Sequence, residues 1–301
     1  MKTKDLALLI VVTAIWGLNF SLIKLGLQNI DPYFLAAARF ALCAFPAILF
    51  VKRPQLPWSY LLSYGMVFGA LQWGFIYAGL GFGVSAGIAS ILTQTSVFMT
   101  MALGMVIYGE KLNISLVLGS LLSFSGLVLI FTYAEGSANA IGMGLMLVGA
   151  FAWSISNLIV KKSGAKDMFG FLIWASLFAP VPLLLMSMLS SGVKAISHSL
   201  AAVDAMAVFS IAFQVIPTTL LGYSIWNHMM QKYPVSQVAP LSLLVPVFGM
   251  LGSFFIFDEQ LPLHKWLAIA LIFLGLLVQR FGPSILASVR QNLSRSNSQA
   301  K

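Results

Sequence analysis

Ten apolar runs of roughly twenty residues follow one another along this chain, about the length a helix needs to cross the hydrocarbon of a bilayer. They lie at approximately 5–25, 33–51, 58–80, 86–107, 113–132, 141–160, 170–190, 205–229, 235–256 and 263–281. The breaks between them carry turn and charge signals: "NIDP", "KRPQLP", "GEKLN", "AEGSAN", "KKSGAKD", "KYP" and "DEQLP". Only 8% of the residues are charged and 59% are hydrophobic. A soluble domain carries about 25% charged residues, so this chain cannot clothe a water-facing surface. The expected fold is an all-α integral membrane protein with ten transmembrane helices. Its amino-terminal run reads as a retained helix, because no small-residue cleavage pattern follows it.

The net charge of +9 is a matter of topology, not of nucleic-acid binding. With the N-terminus in the cytoplasm and ten crossings, Lys2, Lys4, Lys52, Arg53, Lys111, Lys161, Lys162, Lys166, Lys232, Arg280, Arg290, Arg295 and Lys301 fall inside. Only Lys24, Lys194 and Lys265 fall outside, the asymmetry that cytoplasmic loops show. Both termini are therefore expected in the cytoplasm. The single cysteine, Cys43, excludes an internal disulfide framework and reads as a packing residue. The tail "SRSNSQAK" reads as polar and disordered.

Two stretches repeat each other. "YGEKLNISLVLGSLLSFSGLVLIF" begins at Tyr108 and "FDEQLPLHKWLAIALIFLGLLVQRF" at Phe257. Each places a glycine sixteen residues after its glutamate, Glu110 to Gly126 and Glu259 to Gly275. The first spans of the two halves also correspond, Trp16 and Lys24 matching Trp153 and Lys161. Residues 1–134 (helices one to five) and 135–282 (helices six to ten) thus read as two copies of one unit, followed by a cytoplasmic tail at 283–301. Five is odd, so the second copy must insert upside down. Two inverted five-helix repeats are an architecture of secondary transporters, which bind solute where the repeats meet.

The motifs "AIWGLNFSLIKLGL", "AAARFAL", "YGEKL" and "DEQL" resemble the EamA family of the drug/metabolite transporter superfamily, over nearly the whole chain. "WGLNF", "FPAI", the "RP" after span two and "APLSLLVPV" are similar to the branch that exports amino acids and related metabolites, of the cysteine and O-acetylserine kind. The resemblance implies a ten-helix carrier of the bacterial inner membrane with a cavity lined by helices one, three, four, six, eight and nine. Relatives move very different solutes, so a multidrug or other metabolite carrier is the alternative.

Polar side chains at bilayer depth are the candidates for the solute pathway, because hydrocarbon cannot solvate them. Trp16, Asn19, Phe20 and Ile23 share one face of helix one, and Trp153, Ser156, Asn157 and Val160 share the same face of helix six. An amide can donate to a carboxylate and accept from an ammonium, and an indole face can lie against an ammonium. Helix–helix hydrogen bonding is the competing reading. Gln72, Trp73 and Tyr77 on helix three, Thr93, Gln94, Thr95 and Ser96 on helix four, and Gln214, Thr218, Thr219, Tyr223 and Asn227 on helix eight join them. Trp226, near the cytoplasmic end, reads as an interfacial belt residue. Helix nine carries Pro240 and Pro246 around Ser242, a pattern that either frees backbone carbonyls for solute or merely bends the helix. Arg39 is the permanent charge inside a span, at a cost of about 3 kcal/mol. It could grip a substrate carboxylate, pair with Asp31 or snorkel; the family resemblance, which carries an arginine at this "RF" position whatever the substrate, implies a structural or gating role. Glu110 and Glu259 read as anions at the start of the following helix rather than as proton carriers.

No cofactor or metal is called for. A lipid-modifying membrane enzyme would need a nucleophile, base or metal cluster at the surface, and no HExxH or DxxD is present. The partners expected are a small-molecule substrate and the lipid bilayer. Gly65 and Gly69, with Gly79, Gly83 and Gly87, provide for close helix packing and permit a homodimer. The inversion has a direct check. Single cysteines placed beside Glu110 and beside Glu259, in a Cys43→Ala background, should be labelled by an impermeant maleimide from opposite sides of the membrane; labelling from one side refutes it.

Overall fold

The computed structural model describes residues 1–110, 113–133, 139–257 and 262–299, and among these the chain is helical throughout, with no strand. Span one is Thr3–Gly26 and span two Pro32–Ala44, extended by a 3-10 turn at Ala47–Leu49. Span three, Trp58–Gly81, contains a π-helical segment at Gly65–Trp73. Span four is broken into Ala86–Thr93 and Thr95–Tyr108, and span five is Ile114–Thr132. Span six is Ala140–Ser163, and span seven runs as Met168–Ser176 and Pro180–Ser191. Span eight, Ala205–Lys232, has its own π-helical segment at Gln214–Tyr223. Span nine consists of Val235–Val238, a 3-10 turn at Ala239–Leu243, and Leu244–Phe257. Span ten begins at Leu263. Among the described residues nine helices are long and apolar enough to cross a membrane; span five has a shorter apolar stretch, Ile114–Leu129.

Local chemistry sets the boundaries. Asp31 accepts the Phe34 amide at 2.9 Å with Pro32 in the first turn, so span two starts there. Ser85, Asn113, Asn139, Asp167 and Asp204 cap the spans that follow them in the same way. Gly109 closes span four in the left-handed conformation, φ 62°, which spares a Cβ clash.

Two segments differ from the sequence expectation. Lys194–Ala201, expected as loop, forms a short helix whose Ser199 hydroxyl accepts the Asp31 amide at 3.0 Å, so it sits over the start of span two. The helix of span ten runs on to Gln299, where a disordered tail was expected. Beyond Pro283 the chain has neither glycine nor proline, so nothing in its local chemistry stops the helix.

Small residues let the spans meet. The glycines of the repeated stretches serve the contact of span five with span ten: a Cβ on Gly275 would overlap the Gly119 carbonyl and the Ser123 hydroxyl, and one on Gly126 would lie 2.7 Å from the Ala268 carbonyl. A Cβ on Gly65 would overlap the Ala175 carbonyl of span seven, and one on Gly69 would overlap Ala179. Gly79 faces Gly142 and Met146 of span six. These three glycines are taken up within the chain, which removes them as grounds for a homodimer. Gly83 is not a packing residue; it turns the chain at φ +89° with open space around it. The outer faces of spans five and ten expose Leu118, Leu121, Leu267, Leu274 and Leu277, a surface suited to lipid.

Gly65→Val should lower the melting temperature in detergent, since overpacking typically costs about 1–3 kcal/mol. Gly144→Val, where a Cβ meets no neighbour within 4 Å, should leave it unchanged.

Candidate functional site

Trp16 of span one and Trp153 of span six meet edge to face, with ring centroids 5.6 Å apart. Around them, Tyr223 lies 4.4 Å and Trp226 5.0 Å from the Trp16 ring. Trp226 is thus not a belt residue. It is 1% exposed, and its indole N–H donates to Asn157 Oδ1 at 3.1 Å. Trp16 donates its own indole N–H to the Thr218 carbonyl, in the π-helical segment of span eight, at 3.2 Å.

This aromatic floor closes one side of a cavity of about 20 Å³. Trp16, Asn19 and Phe20 line it from span one, Gln72, Trp73 and Ile76 from span three, and Thr93 and Gln94 from the break in span four. Trp153, Tyr223 and Val245 complete the wall. A water molecule needs about 10–15 Å³ of such volume, so the cavity holds one or two waters and no amino acid. The conformation is a contracted one.

Buried polar atoms nearly always find a partner. Around this cavity several do not. Asn19 Oδ1 accepts from the Thr218 hydroxyl at 3.1 Å, while its Nδ2 has no partner. Gln94 Nε2 donates to the Ser90 carbonyl at 3.1 Å, while its Oε1 has none. The Trp153 indole N–H has none. Gln72 is held only by long bonds, to the Tyr223 hydroxyl and from the Ser156 hydroxyl, both at 3.4 Å. The site therefore presents free donors and a free acceptor against aromatic faces.

The structure brings Trp16, Asn19, Gln72, Trp73, Gln94, Trp153 and Tyr223 together around one cavity and leaves two candidates outside its lining. Asn157 is spent below the floor, its oxygen on Trp226 and its nitrogen 3.4 Å from the Thr100 hydroxyl. Ser242 donates to the Ala239 carbonyl of its own turn at 2.9 Å. Pro240 starts the 3-10 turn and Pro246 sits in the first turn of the helix after it, positions where a missing N–H breaks no helical bond. The break in span four is relieved by side chains: Thr93 donates to the Ser90 carbonyl at 3.0 Å and Thr95 to the Leu92 carbonyl at 2.7 Å. Ile76 and Val245, which sequence reasoning missed, are apolar residues among many and carried no signal.

Arg39 neither snorkels nor pairs with Asp31. It has no exposed surface. Its Nε donates to the Thr219 hydroxyl at 2.8 Å, and its guanidinium lies 3.9 Å above the Trp73 ring. Glu110 also differs from expectation. Asn113 caps the following helix. Glu110 instead crosses to span nine, accepting the Val235 and Ser236 amides at 3.0 Å each, with Lys161 Nζ 3.5 Å away. The same end of the molecule is tied by Asp5, which accepts from Lys232 at 2.8 Å and from the Tyr233 hydroxyl at 2.6 Å. Lys161 donates to the Tyr233 carbonyl at 2.9 Å. Glu259 lies outside the described residues.

Comparison with known proteins adds a second line. The profile of the EamA-like transporter family matches residues 3–132 and again residues 140–280. The chain belongs to the EamA-like transporter family. It is 38% identical to a protein of Escherichia coli (strain K12) named "Probable amino-acid metabolite efflux pump", over 94% of this chain and 96% of that one. A protein of the same name from Salmonella typhimurium matches equally, and an uncharacterized transporter of Bacillus subtilis is 25% identical over 91% of this chain and 95% of its own. A crystal structure shares the fold at a TM-score of 0.71 and 19% identity, covering 93% of this chain and 99% of that one.

In this family member the Glu110 clamp is titratable. Partial burial pushes its carboxyl up, but the Ser236 amide and hydroxyl, the Val235 amide and the Lys161 charge together hold it below the ordinary carboxylate value. A lowered value means the clamp stabilises the fold fully above the ordinary carboxylate pKa and is lost as pH falls through the lowered one. Melting temperature should therefore drop on acidification, and Glu110→Gln should be less stable at neutral pH while losing this part of the acid-side slope.

Proposed function

We propose that this protein is a secondary exporter of amino acids or related small metabolites, of the cysteine and O-acetylserine kind, working by alternating access in a bacterial inner membrane. The observation that carries the reading is the set of unpartnered Asn19, Gln94 and Trp153 atoms around a cavity with an aromatic floor. The N–H groups suit oxygen acceptors on a solute, the Gln94 oxygen suits an ammonium, and the Trp16 face adds cation–π attraction. Two relatives named as amino-acid metabolite efflux pumps support the solute class.

Alternating access follows from two halves in opposite orientation. Supporting this are the twofold match of the family profile, the π-helical segments in spans three and eight, and the broken helices of spans four and nine. Trp16 and Trp153, equivalent in the two halves, touch where the halves meet. The end tied by Lys161 and Lys232 also holds Lys2, whose amide lies 3.2 Å from the Tyr233 hydroxyl, and Arg280, which donates to the Met1 carbonyl at 3.2 Å. These belong to the basic set assigned to the cytoplasm, which supports a reading with both termini facing inward and the halves tied together on that side. A carrier of other metabolites is the alternative reading of the same cavity.

Proteoliposomes preloaded with labelled cysteine or O-acetylserine should release it faster than empty liposomes and show saturable counterflow. Gln94→Ala and Asn19→Ala should each lower transport about tenfold, the scale of one lost hydrogen bond to a charged group, without loss of folded protein. No release of any solute across a broad panel rejects the proposal.

A further inference from the structure

Arg39 carries a charge that no acidic side chain among the described residues answers. Eight aspartates and glutamates occur in the chain, and five lie among the described residues. Each of the five is engaged elsewhere. Asp5 holds Lys232, Glu110 holds Lys161 and two amides, and Asp31 takes the Phe34 amide and the Ser191 hydroxyl. Asp167 and Asp204 cap helices at Gly170 and Ala207. The guanidinium has only neutral company: the Thr219 hydroxyl on Nε, the Tyr77 hydroxyl 3.5 Å from Nη1, and the Trp73 ring at 3.9 Å. Nη2 is buried with no partner at all.

A buried charge lacking a counterion is strongly destabilising unless something else supplies the opposite sign. Trp73 lines the cavity and the Arg39 guanidinium lies 3.9 Å from the Trp73 ring centroid, so Arg39 stands one side chain away from the solute space. The cavity is too small for a solute as it stands, and widening it requires side chains on its wall to move. We propose that Arg39 is the specificity-determining residue for a solute carboxylate, which reaches Nη2 when Trp73 turns aside. This deepens the exporter reading and rests on it for the identity of the cavity. The arrangement selects a class: solutes bearing a carboxylate next to an ammonium, favoured over their amides and decarboxylated amines. The fork of Arg39 supplies charge and direction, and Thr219 fixes that fork through Nε.

The test compares L-cysteine with L-cysteinamide under reducing conditions, in counterflow with purified protein. Wild type should prefer the acid. Arg39→Gln should raise KM for the acid about ten- to a hundredfold and leave the amide nearly unaffected. Arg39→Lys should keep the preference at a raised KM, since charge remains and the fork does not. A purely structural arginine gives the opposite pattern: Arg39→Gln would slow acid and amide alike and would lower the melting temperature of the solute-free protein. That result overturns the proposal. If wild-type protein moves neither molecule, the cysteine-like choice of solute fails, and melting in detergent still decides this one. Sodium acetate at millimolar concentration should stabilise wild type above matched sodium chloride and give no such difference in Arg39→Gln; equal shifts in both refute a carboxylate site.

Discussion

A polar atom inside hydrocarbon can turn only to the protein for a partner, and this single constraint explains where the helices of the molecule depart from regularity. The break in span four is bridged by threonine and glutamine side chains that take the carbonyls of the preceding turn. The prolines of span nine fall at the starts of short helical pieces, where no donor is missed. The π-helical turn of span eight lends its Thr218 carbonyl to Trp16 and its Gln214 carbonyl to the Thr219 hydroxyl. Against this, Asn19, Arg39, Trp73, Gln94, Trp153 and Ser187 stand out among the described residues as side chains with a buried polar atom that has no partner in the protein. Irregular backbone is tolerated at this depth where it borders a cavity, and here it does.

The two halves are joined by contacts of different character at different depths. In the middle the join is aromatic: Trp16 against Trp153, with Tyr223 and Trp226 packed beside them. Such pairs add about 0.5–1.5 kcal/mol each beyond their burial, and they leave the geometry free to tilt. At the end that holds the amino terminus the join is polar and directional, with Glu110 grasping the first amides of span nine and Asp5 grasping Lys232 and Tyr233.

Much of this was legible in the sequence because the strongest signals there are one-dimensional. Run length against bilayer thickness yields the spans within a few residues. Polar residues deep in a run mark themselves, which is why Asn19, Gln72 and Gln94 could be named and then found on one cavity. What could not be read depends on distance across the fold. Asn19 and Asn157 look equivalent along the chain, but Trp226 reaches only Asn157 and silences it. Trp226 itself was misplaced because depth was counted from the helix end alone, with no knowledge of what packs beside it. The partner of Glu110 lies 125 residues away in sequence, and no local pattern points to it.

The smallness of the cavity has a consequence for how such a carrier handles cargo. On the reading proposed above, a conformer with room for only one or two waters is not the one that recognises a solute, so recognition waits on a wider form. Observed affinity is then the intrinsic affinity scaled down by the fraction of molecules in that wider form.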